Sequence, residues 1–305
     1  MTRIAITGAS GFIGRHLTAA IRARGDRPVP IARPYDPAGL SAAFREVDVV
    51  VHLAGVVAAV RARDFFTANV DATRVVSEAA RAAKVRLVHV SSLAAAGPAP
   101  ASAPRSEDDP PSPITPYGRS KLEGERIVSG TPDLQWIVLR PGVVYGGGDR
   151  AMLPLFRYAG RGVLPLAGRD AAYTFVHVSD AVRAILAAVD TVNRAAIGRA
   201  FFVGHPRPVT SREVLEAVRS AAGSSAIIMR LPLVLTRIAA AFGDVQGLIT
   251  GRPAVINRWR YAELTAEGFV GRVDRLRDGL GVVAHTDLSE GLAETAAFYR
   301  REGWL

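Results

Sequence analysis

The 305-residue chain contains no cysteine. That absence excludes disulfides, thiolate metal centres and cysteine nucleophiles together. Histidine is scarce, and His16, His52, His89, His177, His205 and His285 show no ligand spacing, so no metal site is expected. Long apolar runs are missing as well. The most apolar stretch, Ala226 to Phe242, is interrupted by Arg230, Pro232 and Arg237 and is short for a bilayer span. It reads as a helix or lid of a substrate lobe rather than an integral membrane segment, with loose membrane association as the alternative. An apolar strand begins at residue 3, which leaves no room for a signal peptide and implies a cytoplasmic location. Charge is unbalanced, with 38 Lys and Arg against 28 Asp and Glu and a net charge of +10. The arginines nevertheless form no basic run and carry no aromatic interleaving, which argues against a nucleic-acid partner and for an arginine-rich surface, whose field would also favour an acidic cofactor or substrate.

Lysine is almost absent too: only Lys84 and Lys121 stand among the 38 basic residues. A position that keeps lysine where arginine has replaced it elsewhere has a chemical reason to do so. In Tyr117-Gly-Arg-Ser-Lys121 the lysine lies four residues after a tyrosine, and on a helix that spacing puts phenol and ammonium on one face. A compact ammonium can tune an acid/base phenol and donate to ribose hydroxyls, a geometry that suits a planar guanidinium poorly. The pair alone is a weak signal, and its context carries the argument.

That context starts with the apolar run Arg3 to Thr7, followed by Gly8-Ala-Ser-Gly11-Phe-Ile-Gly14 and a helical pattern from Arg15 to Arg24. Strand, glycine turn and helix start in this order make an anion site, because backbone N–H groups and the helix dipole converge on it. Asp48 to Gly55, Leu87 to Ser92 and Ile137 to Gly142 read as further buried parallel strands that end in small residues, serines or proline. The alternation resumes from Phe175 to Val203. These features define an α/β fold with a doubly wound parallel Rossmann sheet, built from residues 1–145 and 172–204. Residues 146–171 and 205–305 read as a smaller C-terminal substrate lobe, within the ~100–200 residues typical of a domain. Between Val29–Arg33 and Asp48 only Pro34 to Val47 remain, so a full third strand is expected to be missing. Ala94 to Pro116 is a proline-rich loop without periodicity that is expected to border the substrate.

Taken in order, Thr7 to Gly14, His52-Leu-Ala-Gly55, Asn69-Val70, Ser91-Ser92, Tyr117 to Lys121, Arg140 to Gly146 and Phe175 to Asp180 resemble the extended short-chain dehydrogenase/reductase family over nearly the whole chain. That group includes nucleotide-sugar epimerases and dehydratases, dihydroflavonol reductases and 3β-hydroxysteroid dehydrogenases. The resemblance implies an enzyme in which Ser92, with Ser91 as the less favoured neighbour, joins Tyr117 and Lys121 in catalysis. It implies a dinucleotide held by Gly8, Ser10, Gly11, Phe12, Ile13, Gly14, Leu53, Ala54, Gly55, Asn69, Tyr117, Lys121, Pro141 and Val143. For Asn69 an interhelical polar contact is an equal reading. It further implies a homodimer through helices within 64–84 and 117–129.

Cofactor choice turns on Arg33, which would attract a ribose 2′-phosphate and favour NADP, while Asp36 keeps NAD open. Sugar-nucleotide members carry asparagine where this chain has Val143 and Arg-Asp where it has Tyr173-Thr174, although Arg169-Asp170 lie slightly upstream. Without those polar anchors a diphosphate loses its partners. The expected substrate is therefore an apolar or aromatic carbonyl compound or alcohol. A nucleotide-sugar epimerase or dehydratase with internally recycled NAD is the alternative, and a non-enzymatic NAD(P) sensor is disfavoured by the intact serine, tyrosine and lysine.

Overall fold

Backbone pairing organises the chain around one six-stranded parallel sheet in the computed structural model, which describes residues 1–305. Its strands are β1 (Arg3–Thr7), β2 (Arg27–Ile31), β3 (Val49–His52), β4 (Arg86–Val90), β5 (Trp136–Pro141) and the Arg199–Val203 strand. Across the sheet they run Arg199–Val203, β5, β4, β3, β1, β2. The register pairs Ile6 with Val51, Val51 with Val88, and Val88 with Ile137. Both faces are covered, which is why these strands read as continuous apolar runs. Ile4, Ile6, Val51, Val88 and Leu139 face α1 (Phe12–Ala23), through Leu17 and Ile21, and the Val178–Asp190 helix. Ala5, Val50, Leu87 and Val138 face the opposite way, toward α2 (Pro37–Phe44), α4 (Ala72–Ala82) and α5 (Pro116–Gly130).

Only α2 lies between β2 and β3, so β2 ends the sheet and the third strand is absent, as the short Pro34–Val47 interval implies. One expectation needs correction. The Phe175–His177 strand does not enter this sheet; it pairs in parallel with Val143–Tyr145 in a two-stranded ribbon beside it. The reason lies at Gly142, where an added Cβ would sit 2.1 Å from the Thr174 carbonyl oxygen, so the chain after β5 is pressed against the Phe175 strand.

A second core gathers Tyr145, Phe156, Leu164, Leu215, Leu292 and Tyr299 from the C-terminal helices and the 143–166 segment. Leu276 and Ala284 return to the core of the main sheet, so the chain beyond residue 205 is not confined to the lobe. The apolar stretch from Ala226 divides into the Ile227–Arg230 strand, paired with Val163–Leu166, and the Leu233–Thr250 helix. That helix is long and apolar enough to cross a membrane by length and composition. The 94–116 loop is fastened by bridges from Ala99 to Phe269 and Arg105 to Gly271, and by Glu107 accepting from the Phe202 N–H at 2.9 Å. The helices expected to join two copies turn Arg74, Glu78, Arg81, Arg119 and Arg126 outward, a charged face.

Candidate active site

The crevice forms where β1 and β3 end. Gly8 adopts φ +75°, and a Cβ there would lie 2.8 Å from the Ala54 nitrogen; at Gly14 it would lie 2.2 Å from the Gly8 carbonyl oxygen. Both positions therefore require glycine, one for its backbone and both for close approach. Gly11 caps α1 without any side-chain acceptor, and no acidic residue occupies the first turn. The first N–H groups of α1 are thus left for an anion, with Ser10 exposed beside them and Phe12 and Ile13 anchoring the turn to the core. Leu53, Ala54 and Gly55 pass directly opposite: the Leu53 N–H donates to the Thr7 carbonyl at 3.1 Å.

A buried relay fixes this corner. Thr7 Oγ1 bonds His52 Nδ1 at 2.7 Å, His52 Nε2 bonds Thr73 Oγ1 at 3.0 Å, and Thr73 donates to the Asn69 carbonyl at 2.5 Å. Because Thr73 gives its proton to Asn69, it accepts from His52 Nε2–H, and His52 Nδ1 then accepts from Thr7. His52 stays neutral, its pKa lowered to about 3 by burial and by Lys121. His89 stacks on it at 5.3 Å and is held well below its ordinary value for the same reasons, with neither ring nitrogen partnered.

Asn69 sits in a π-helical turn, Thr67–Asp71, a distortion that recurs at functional sites. Its Oδ1 accepts from the Val56 N–H at 2.8 Å, and its Nδ2 donates to the Val56 carbonyl at 3.1 Å and to Ser120 Oγ at 2.9 Å. Both amide hydrogens are thereby taken up inside the protein. Asn69 straps the chain after Gly55 to α5, the interhelical contact that its position allowed. Ser120 in turn donates to the Tyr117 carbonyl at 2.8 Å, which steadies the first turn of α5.

Thr115 caps α5 by accepting from the Gly118 N–H at 3.2 Å, and Pro116 opens the helix. Tyr117 and Lys121 follow one turn apart. Lys121 Nζ is buried and donates to the Val90 carbonyl at 2.8 Å, close to Gly55, whose added Cβ would come within 3.9 Å of it. Burial lowers its pKa to about 8, while Glu125 one turn further along raises it. Ser92, just beyond β4, accepts from the Ala94 N–H at 3.2 Å and lies near enough to the Tyr117 phenol to favour its ionisation, whereas the neighbouring Ser91 hydroxyl is buried without a partner. Ser92, just beyond β4, and Tyr117 and Lys121, on α5, therefore lie beside one another at the carboxyl end of β4.

The electrostatics depart from the expectation that Lys121 acidifies the phenol. Burial pushes Tyr117 up to about 12; the nearby Ser92 hydroxyl opposes this, Glu263 reinforces it, and Lys121 is not among the groups that shift it. The phenol is held protonated. Its ring lies 6.0 Å from Phe65, which meets Trp259 at 5.4 Å. Phe65 belongs to α3 (Ala62–Phe66), and Trp259 and Glu263 come from the Arg258–Thr265 helix of the lobe.

Beneath this site Glu125 grips Arg140 through Nε at 3.1 Å to each carboxylate oxygen and Nη2 at 2.7 Å, with side chains only 7% and 10% exposed. Sequence spacing did not disclose this pair, nor the aromatic wall. Pro141 closes β5 and Val143 begins the strand beside Phe175, both next to the crevice. Arg33 stands exposed past β2, stacked on Tyr35 at 5.7 Å and 3.4 Å from the Ala68 carbonyl. Asp36 instead caps α2, accepting from the Gly39 N–H at 2.7 Å.

Residues 4–204 match the model of the NAD-dependent epimerase/dehydratase family. A ceramide reductase from Caulobacter vibrioides is 29% identical across 99% of this chain and 96% of its own length. A dTDP-6-deoxy-L-talose 4-dehydrogenase from Kitasatospora kifunensis is 30% identical across 75% of this chain and 82% of its own length. Among solved structures, MoeE5 in complex with UDP-glucose and NAD superposes with a TM-score of 0.78 at 27% identity, covering 98% of this chain and 99% of that one. With the glycine cradle, the helix terminus that has no side-chain cap and the Ser92, Tyr117 and Lys121 cluster, this match makes the chain an enzyme of the NAD-dependent epimerase/dehydratase family within the extended short-chain dehydrogenases.

Proposed function

We propose that this enzyme reduces the carbonyl group of a lipophilic small molecule to a secondary alcohol, with NADPH as the preferred donor and in the cytoplasm. The carrying observation is the Tyr117 phenol, seated one turn from Lys121 against the aromatic wall of Phe65 and Trp259 and held protonated by burial, its pKa raised to about 12. When bound, the dinucleotide supplies the hydride that passes to the carbonyl carbon. Tyr117 gives its proton to the carbonyl oxygen, and Ser92 donates a hydrogen bond to the same oxygen as charge builds there. The phenolate that remains, one turn from Lys121 on the same helix, regains a proton from solvent.

The residues present fit the dinucleotide. The N–H groups at the start of α1 would meet the pyrophosphate, the glycines at positions 8 and 14 would leave it room, and Lys121, beside Gly55, would donate to the ribose. Two observations support the 2′-phosphate form: Arg33 is exposed past β2 with no carboxylate partner, and Asp36 is engaged in capping α2.

The epimerase or dehydratase reading draws support from MoeE5, whose complex holds UDP-glucose. Against it, Val143 offers no polar anchor, and Asp170 is held by the Arg212 N–H at 2.9 Å rather than directed to a ligand. The two readings separate in one assay. Net, Tyr117-dependent oxidation of the reduced nicotinamide with a ketone supports the reductase; conversion of a nucleotide sugar at constant nicotinamide absorbance supports the epimerase.

A further inference from the structure

The Leu233–Thr250 helix is packed the opposite way round from an ordinary surface helix. Its small residues Thr236, Ala240, Gly243 and Gly247 face the body, while Val234, Leu235, Ile238, Phe242, Val245, Leu248 and Ile249 face out. Phe242 is 71% exposed and Ile249 80%. At about 100° per residue the outward set spans an arc of roughly 140° directly opposite the small residues. The helix cannot roll to hide it. An added Cβ at Gly243 would lie 1.9 Å from the Ile256 carbonyl oxygen, so the inward side has no room even for a methyl group.

The unpaired charges around this face all have one sign. Arg230 precedes the helix, Arg237 borders the apolar arc and Arg252 follows it, and none of the three joins an ion pair. The only acidic residue of the helix, Asp244, lies off the arc and pairs with Arg258 at 3.7 Å. An apolar strip bordered by unpaired arginines, on a chain of net charge +10, complements a surface that is apolar beneath and anionic on top. We propose that the outward face of the Leu233–Thr250 helix docks on an anionic lipid bilayer, lying along its surface.

The helix lies on the bilayer rather than through it, because both of its ends return to folded protein. The preceding strand Ile227–Arg230 is paired with Val163–Leu166, and the following segment runs back beneath the helix at Ile256. Its far end also lines a cavity next to the segment that follows Gly55. Leu248, Gly251 and Pro253 form one wall of a cavity of about 540 Å³ whose other wall includes Val56, Val60 and Ala68. Val56 follows Gly55 and is strapped by Asn69. Docking would therefore open this cavity toward the lipid, a route for a membrane-resident carbonyl compound. The docking stands on the helix alone, and only the route rests on the reductase reading.

The test is flotation of the full-length enzyme with phosphatidylcholine vesicles, with and without phosphatidylglycerol, alongside turnover of a soluble short-chain ketone. The wild type should float with the anionic vesicles and be released by high salt. The double variant Phe242→Glu/Ile249→Glu should bind at least tenfold more weakly while keeping its unfolding midpoint, and Arg237→Glu should weaken the salt-sensitive part. Wild type that stays unbound, or a double variant that floats equally well, overturns the proposal. A wild-type dimer in sedimentation velocity that Phe242→Glu dissociates also overturns it, because the face would then join two copies of the chain. Failure of ketone turnover with intact flotation would count against the reductase reading and leave the docking standing.

Discussion

Replacing Glu125 by glutamine should both destabilise the protein and move its pH profile. The carboxylate makes three contacts with Arg140 in a nearly closed environment, and neutralising it leaves a buried guanidinium without its counter-charge. Breaking such a pair from one side costs about 3–5 kcal/mol, and the retained amide oxygen places Glu125→Gln near ~3 kcal/mol. The same substitution acts on Lys121, whose pKa Glu125 raises against the pull of burial. Four residues of helix span about 6 Å along the axis. At an effective dielectric near ~20 a unit charge at that distance acts with up to ~3 kcal/mol, and Arg140 offsets much of it. A further fall of about one unit below the wild-type value of about 8 is expected, since each unit corresponds to ~1.4 kcal/mol. Urea unfolding at neutral pH reports the first effect, and the alkaline limb of dinucleotide affinity against pH reports the second. A stability loss below ~1 kcal/mol with an unmoved alkaline limb would refute both the energetic role of the pair and the coupling to Lys121.

Acid should unfold the enzyme from within the sheet. His52 is neutral when folded, with a pKa of about 3 against an ordinary 6.5, so the unfolded chain binds more protons in that interval. Its contribution is complete above pH 6.5 and is lost as pH falls toward 3, by up to about 5 kcal/mol, with His89 adding to the loss. His89→Phe, which sacrifices no hydrogen bond, should shift the acid unfolding midpoint downward, and an unchanged or higher midpoint would count against this account. Gly14→Ala should reduce dinucleotide affinity at least a hundredfold in equilibrium titration, because its Cβ collides with the Gly8 carbonyl; near-normal affinity would refute the cradle. Arg33→Ser should weaken NADPH binding about tenfold while leaving NADH within twofold, which titration with each form would check.

The elements that sequence patterning exposes are those whose signal is local. β3 and β4 are covered on both faces, so Val49 to His52 and Arg86 to Val90 show as apolar runs, and the glycine turn and the Tyr117–Lys121 spacing lie within single motifs. What stayed hidden depends on distant partners. Thr7, His52 and Thr73 meet across three elements, and Glu125 meets Arg140 only once α5 packs on β5. Asp36 reads as a ribose ligand by position, yet the start of α2 three residues before Gly39 claims it as a cap. Trp259 and Glu263 sit on a short helix with no buried residue, so no periodicity announces that Trp259 meets Phe65 or that Glu263 acts on Tyr117. The Leu233–Thr250 helix could be recognised by its composition, but which face points outward depends on how closely Gly243 is seated.

The reductase assignment is tested most directly by following nicotinamide absorbance with NADPH and NADH in parallel, using a long-chain ketone and comparing wild type with Tyr117→Phe. The account predicts net oxidation by wild type, faster with NADPH, and a loss of at least a thousandfold in kcat for Tyr117→Phe with dinucleotide binding retained. Equal turnover by Tyr117→Phe, or a nucleotide sugar converted while the nicotinamide absorbance stays constant, would contradict it.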